Sequence, residues 1–300
     1  MRSHQLLFVS ALLCFFSFSN RKNFSSVKDT LRKEKTITYT YDLAHPQRKW
    51  VLPDELLEIS GQTWVDKNHL LAIEDLHAVL YLLRLDSNIV IEKQKVFRER
   101  TGKEDKKFDI EDVAIVNDKV YALWSHGVIF KIKNWETDLK TKKLETSLAK
   151  ENNTEGMCFD PVSQNLLIAC KKESGAADEK KSTRAVYEFD LSADTLKTRP
   201  FLLIHKDDFL KVTNEKVQFF PSAIAVHPIT HDLYILSTKD NKCMAQFSYQ
   251  GELKSLQFID RNLMVQPEGI CFSPDGTLYI SSEGKNGVPA VICEFSYSKQ

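Results

Sequence analysis

Gln266-Pro267-Glu268-Gly269-Ile270-Cys271-Phe272-Ser273-Pro274-Asp275-Gly276-Thr277-Leu278-Tyr279-Ile280-Ser281-Ser282-Glu283-Gly284 reads as a strand, a tight turn at Pro274-Asp275-Gly276, a second strand and a loop that opens on an acid. Weaker copies recur upstream. Asn153-Thr154-Glu155-Gly156-Met157-Cys158-Phe159-Asp160-Pro161 leads to Asn165-Leu166-Leu167-Ile168-Ala169-Cys170-Lys171, and Pro221-Ser222-Ala223-Ile224-Ala225-Val226 leads to Leu233-Tyr234-Ile235-Leu236-Ser237-Thr238. Asp109-Ile110-Glu111-Asp112-Val113 and Ile59-Ser60-Gly61-Gln62-Thr63-Trp64 open two more, ending at Ser125 and Asp75. A unit of short strands repeated at roughly 45 to 65 residues is the signature of a β-propeller.

The fold class is therefore all-β, a propeller of four-stranded blades. Third and fourth strands are expected at Val79 to Leu85 and Ile89 to Phe97, at Val128 to Ile132 and near Leu144, at Ala185 to Leu191 and Phe201 to Ile204, and at Met244 to Tyr249 and Leu253 to Ile259. Five blades are counted, with six as the alternative because the gap from Ile204 to Phe220 has room for a helical turn or a degenerate blade. Lys171 to Arg184, rich in Lys, Glu, Ser and Gly, reads as a mobile surface loop. The chain ends soon after Ala290 to Ser296, so the last blade lacks its outer strand. The alternating, β-branched and aromatic stretch Thr36 to Leu43 is expected to supply it, closing the ring with an N-terminal strand.

Residues 1–19 read as a signal peptide, with Arg2 in the n-region, an apolar run from Leu6 to Phe18 and a small-x-small site at Ser17-Phe18-Ser19. The run is shorter than the ~20 residues of a membrane span, which favours export over an anchor, and lipidation at Cys14 is the alternative. Residues 20–35 form a polar linker and 36–300 one propeller domain. With 41 basic and 41 acidic residues the chain has no net charge, which argues against nucleic acid as a partner. Cys158 and Cys271 occupy equivalent places in apolar strands and read as small buried hydrophobes; a Cys158 to Cys170 bridge is the one disulfide the pattern admits. Asn23-Phe24-Ser25 and Asn152-Asn153-Thr154 match a glycosylation pattern.

Aligning the repeats puts Ser60, Glu111, Glu155, Ser222 and Glu268 at one position, followed by Gly61, Asp112, Gly156, Ala223 and Gly269. In a propeller the first strand of each blade lines the channel, so these leading residues converge into a ring at one mouth. Asp75, Ser125, Lys171, Thr238 and Glu283, which follow the second strands, should emerge at the same mouth. Three unpaired glutamates across a channel repel, and a hard cation relieves them. Calcium, which takes 6 to 8 oxygen ligands, is the cation the pattern admits, with Glu111, Glu155 and Glu268 as metal ligands and Ser60, Asp75, Ser222, Glu283 and His126 completing the mouth. In a metal-free reading, the leading residues hydrogen-bond the next blade's backbone, the glycines allow close approach between strands, and Lys171 balances the charge.

The succession Glu58-Ile59-Ser60-Gly61-x-x-Trp64, Ile110-Glu111-Asp112-Val113, Asn153-Thr154-Glu155-Gly156-Met157-Cys158-Phe159-Asp160-Pro161 and Pro267-Glu268-Gly269-Ile270 resembles the SdiA-regulated family of bacterial envelope proteins. Membership implies a propeller exported to, or held at, the periplasm or cell envelope, and carries no reaction with it. More distantly the chain is similar to the calcium-dependent lactonase propellers, but it has serines at two ring positions and lacks their asparagine ligands. Two functions follow. One is a monomeric binding protein that takes an envelope protein, a glycan or a small molecule at the mouth. The other is a metal-dependent hydrolase of lactones, esters or phosphoesters, in which a glutamate or His126 moves the proton.

Overall fold

A computed structural model describes residues 39–98 and 109–299. Within them five four-stranded antiparallel sheets follow one another along the chain. The first blade is Ile59–Asp66, His69–Glu74, Val79–Leu85 and Ile89–Val96; the second is Ile110–Val116, Lys119–Trp124, Val128–Lys133 and Lys140–Glu145. The third is Thr154–Asp160, Asn165–Cys170 and Arg184–Asp190, whose outer edge is shared by Thr195–Leu196 and Leu202–Ile204. The fourth is Pro221–Val226, Leu233–Ser237, Cys243–Phe247 and Leu253–Phe258. The gap after Ile204 holds one helix, Lys206–Thr213, so there is no sixth blade among the described residues.

Ring closure differs from the expectation. The fifth blade, Gln266–Phe272, Leu278–Glu283 and Val291–Phe295, takes its fourth strand from Arg48–Val51, not from Thr36 to Leu43. Of that expected strand, residues 36–38 lie outside the described residues, and Tyr39–Tyr41 pairs instead with Tyr297–Lys299 in a separate two-stranded ribbon. Arg48–Val51 buries only Trp50 and leaves its other residues exposed, as befits an outer edge, and so lacks the alternation that marks a strand in sequence.

Burial follows the layering. Five apolar clusters fill the five junctions between adjacent blades, and the inner strands contact one another in a closed circle, the fifth blade's against the first's. Inner and middle strands are covered on both faces, which is why Pro221–Val226 is buried throughout, while outer strands such as Lys140–Glu145 expose lysines that protect the edge. All five described cysteines are free. Cys158 sits opposite Leu167, whereas Cys170 lies opposite Thr154 at the far end of that pair, so the bridge does not form. The surface loop 171–183 is tied down by Lys172 N–H to Asn152 O (3.0 Å) and the Tyr187 hydroxyl to Ser174 O (2.9 Å). Asn152 is 7% exposed and both its amide atoms are bonded, which removes it as a glycan acceptor in the folded protein.

At the mouth opposite the acid ring, the N-terminal ribbon is latched by Tyr41. His227 Nδ1 accepts from the backbone N–H groups of Ile229 (3.2 Å) and Thr230 (3.1 Å), which leaves Nε2–H to donate to the Tyr41 oxygen (3.0 Å). Tyr41 in turn donates to Gly276 O at 2.6 Å. Burial holds His227 neutral, pulling its pKa to about 4. Tyr41→Phe removes the hydroxyl that His227 Nε2–H and Gly276 O both meet, so a loss of about 1 to 3 kcal/mol in urea unfolding is expected; a change within about 0.5 kcal/mol would refute the latch.

Candidate functional site

Each of the five leading residues occupies a register shift. The pairing of first and second strands skips one residue between Ile59 and Gly61, Ile110 and Asp112, Thr154 and Gly156, Pro221 and Ala223, and Pro267 and Gly269. Ser60, Glu111, Glu155, Ser222 and Glu268 are thus the extra residues of five equivalent β-bulges, a device that re-aims a side chain out of the ladder. The glycine that follows serves close approach: a Cβ on Gly61 would lie 2.5 Å from the Asp112 Cα, and one on Gly269 would lie 2.3 Å from Ser281 Oγ.

The two serines are committed to the scaffold. Ser60 Oγ donates to Ile110 O (2.7 Å) and Ser222 Oγ to Pro267 O (3.0 Å), each the residue just before the next blade's bulge. Asp112 does similar work across another junction, accepting from its neighbour Val113 N–H (2.8 Å) and from Met157 N–H of the third blade (2.7 Å). Burial still holds its carboxyl well above the usual range.

The three glutamates surround Lys171. Its ammonium donates to Glu155 Oε2 at 2.6 Å, and Asn153 donates to the other oxygen. Burial pulls the lysine's pKa down, but the charges of Glu268, Glu155 and Glu111 outweigh it and hold the group above the ordinary lysine range. Burial raises all three carboxyls; Lys171 opposes the rise at Glu155 and Glu268, and mutual repulsion adds to it. Glu268 is 5% exposed, and its Oε2 has no hydrogen-bond partner among the described residues.

The first two second-strand ends arrive at the same mouth because Ile110 N–H bonds Asp75 O (3.1 Å) and Thr154 N–H bonds Ser125 O (2.9 Å), tying the exits of the first and second blades to the next blade's entry. Glu283 accepts from Gln266 Nε2, and Ser125 donates to Asp109 at 2.6 Å. Thr238 is buried. Among the described residues, Glu58, Asp75 and Glu283 form an acidic group in which one oxygen from each carboxylate lies within 4.8 Å of the other two. Burial first, then Glu58 and Asp75, pushes Glu283 up to about 8. His126 is exposed and stacks on Trp124, with ring centroids 5.3 Å apart.

Glu58 and Asp109 were not singled out from the sequence, although the signal was there. Two residues before each bulge stand Glu58, Asp109, Asn153, Phe220 and Gln266, a third ring at the same period. Asn153 and Gln266 hold Glu155 and Glu283, and Phe220 lies under the cations of Arg184 and Lys239, each 4.8 Å from its ring.

Fold and site together define a five-bladed propeller whose channel mouth is lined by carboxylates around a half-buried lysine. The chain belongs to the SdiA-regulated family, whose model matches residues 40–287. Among solved structures it is similar to the glutaminyl cyclase of Myxococcus xanthus, at 11% identity and a TM-score of 0.55 over 85% of this chain and 97% of that one, a likeness that supports the fold alone. It is also similar to the virginiamycin B lyase of Staphylococcus aureus, at 13% identity and a TM-score of 0.44 over 87% and 74% of the two chains. No curated protein matches the sequence.

Proposed function

We propose that this protein is an exported, monomeric cell-envelope propeller that binds its ligand at the acid-lined mouth and takes a calcium ion there. The observation that carries the reading is the excess of carboxylates: Glu58, Asp75, Asp109, Glu111, Glu155, Glu268 and Glu283 gather at the mouth, where half-buried Lys171 answers four of them and Lys242 adds a second cation toward Glu268 and Glu283. Lys171 answers only part of the charge of Glu111, Glu155 and Glu268, whose carboxyls stay raised by burial and repulsion. Glu58, Asp75 and Glu283 provide the closest oxygens, and hard carboxylate donors suit calcium. Catalysis has less support, since His126 stacks on Trp124 and the Ser125 hydroxyl that donates to Asp109 is fully buried.

Thermal unfolding with calcium and with a chelator tests this. Calcium at a hundredfold excess over its dissociation constant should stabilise the fold by about 2.7 kcal/mol. Glu283→Gln should abolish the response and Glu155→Gln should weaken it. Superimposable wild-type curves in calcium and in chelator would remove the ion from the mouth.

A further inference from the structure

The face opposite the acid mouth carries a second site. A cleft of about 320 Å³ between the first and second blades is lined by Trp64, Trp135, Asn117 and Asn134. A cleft of about 450 Å³ between the second and third blades shares Asn117 and continues past Tyr121 to Asn165. The two clefts meet at Asn117, and each is in the size range of ligand sites. Their chemistry differs from that of the acid mouth. Trp64 is half-buried and held by Tyr279, whose ring lies 5.7 Å away and tilted, so part of a fixed indole remains accessible. Asn117 and Asn134 are exposed, and neither carboxamide has a partner among the described residues. The lysines of the clefts are matched locally, Lys119 with Asp118 at 2.7 Å and Lys131 with Asp194 at 2.7 Å. Glu136 and Asp190 also line them, so the lining offers flat aromatic surface and amide donors and acceptors, with a negative balance that disfavours an anion.

We infer that this pair of clefts, built on Trp64, Asn117 and Asn134, binds an uncharged oligosaccharide. A pyranose presents axial C–H groups that pack on an indole and a rim of hydroxyls that each need a donor and an acceptor, which carboxamides supply together. Two clefts of about 320 and 450 Å³ that meet at Asn117 suit several sugar units rather than one.

The test titrates wild type with cellotetraose, maltotetraose and chitotetraose while following tryptophan fluorescence. One of the three is expected to quench it saturably. Trp64→Ala should weaken that binding about tenfold. Because this change also removes packing from Tyr279, Asn117→Gly is the second variant. Its φ of 55° suits glycine, so the turn is kept, and affinity should fall about fivefold. Glu283→Gln should leave sugar binding unchanged, which separates this site from the calcium reading of the other mouth. Absence of quenching by all three sugars at millimolar concentration, unchanged affinity in Asn117→Gly, or loss of affinity in Glu283→Gln overturns the assignment.

Discussion

Trp50→Ala is expected to destabilise the protein by about 3 to 5 kcal/mol, the range for truncating a buried aromatic residue. Trp50 is 4% exposed in the junction between the fifth and first blades, and its Nε1–H donates to Asp86 O at 2.8 Å. It is also the one buried side chain of Arg48–Val51, the strand that completes the fifth sheet by pairing with Val291–Phe295. Losing it weakens the contact that closes the ring, against a total stability for such domains of about 5 to 15 kcal/mol. A paired truncation sharpens the point. Removing residues 1–38 leaves the Tyr41 latch and the closing strand in place, whereas removing residues 1–52 bares the hydrogen-bonding edge of Val291–Phe295 and should cause aggregation. Urea unfolding gives the first result and light scattering the second. A loss below about 1 kcal/mol for Trp50→Ala, or equal solubility of the two truncations, would show that the ring is closed by other means.

The blades were legible because a first strand, a tight turn and a second strand recur with an acid or serine in front of a small residue. Val79–Leu85, a third strand, matches its expectation to the residue because the turn at Asp86-Ser87-Asn88 marks its end. The closing strand escaped because it stands outside the repeat and is an edge strand with a single apolar residue, while Thr36 to Leu43 shows the alternation of a half-buried strand without filling that role. At the mouth, alignment of the repeats brought the right side chains to one place, since every leading residue is the extra member of a bulge. Their division of labour lay in contacts between blades. Ser60 and Ser222 bond carbonyls some fifty residues away in sequence, and Lys171 answers glutamates from three blades. Periodicity reports position, and only packing reports which neighbour a side chain meets.

In chelator, the protein should lose stability as pH rises from 6.5 to 8, and calcium should suppress that loss. Glu283 is held up to about 8 in the folded state against 4.5 for the free side chain, so across this span the native protein keeps a proton that the unfolded chain has released. A carboxyl raised in this way contributes stability that is fully present below its unfolded pKa and is lost as pH climbs through its folded one. His227 acts in the opposite direction: its pKa falls from 6.5 to about 4 on folding, so its contribution grows with pH up to 6.5 and is level above it. Between 4.5 and 6.5 the two oppose each other, and above 6.5 the carboxyls act alone, with Glu111, Glu155 and Glu268 shifted the same way as Glu283. A cation bound at Glu58, Asp75 and Glu283 replaces the retained proton, so calcium affinity should rise over the same range and binding should release protons. The measurements are the melting temperature from pH 6.5 to 8 in chelator and in calcium, and calcium titration calorimetry in two buffers of different ionisation enthalpy. Glu283→Gln carries no titrating group at that position and should flatten the slope in chelator. A wild-type melting temperature that is level or rises from pH 6.5 to 8 in chelator would mean that these carboxyls are already ionised in the native protein, leaving calcium no proton to displace.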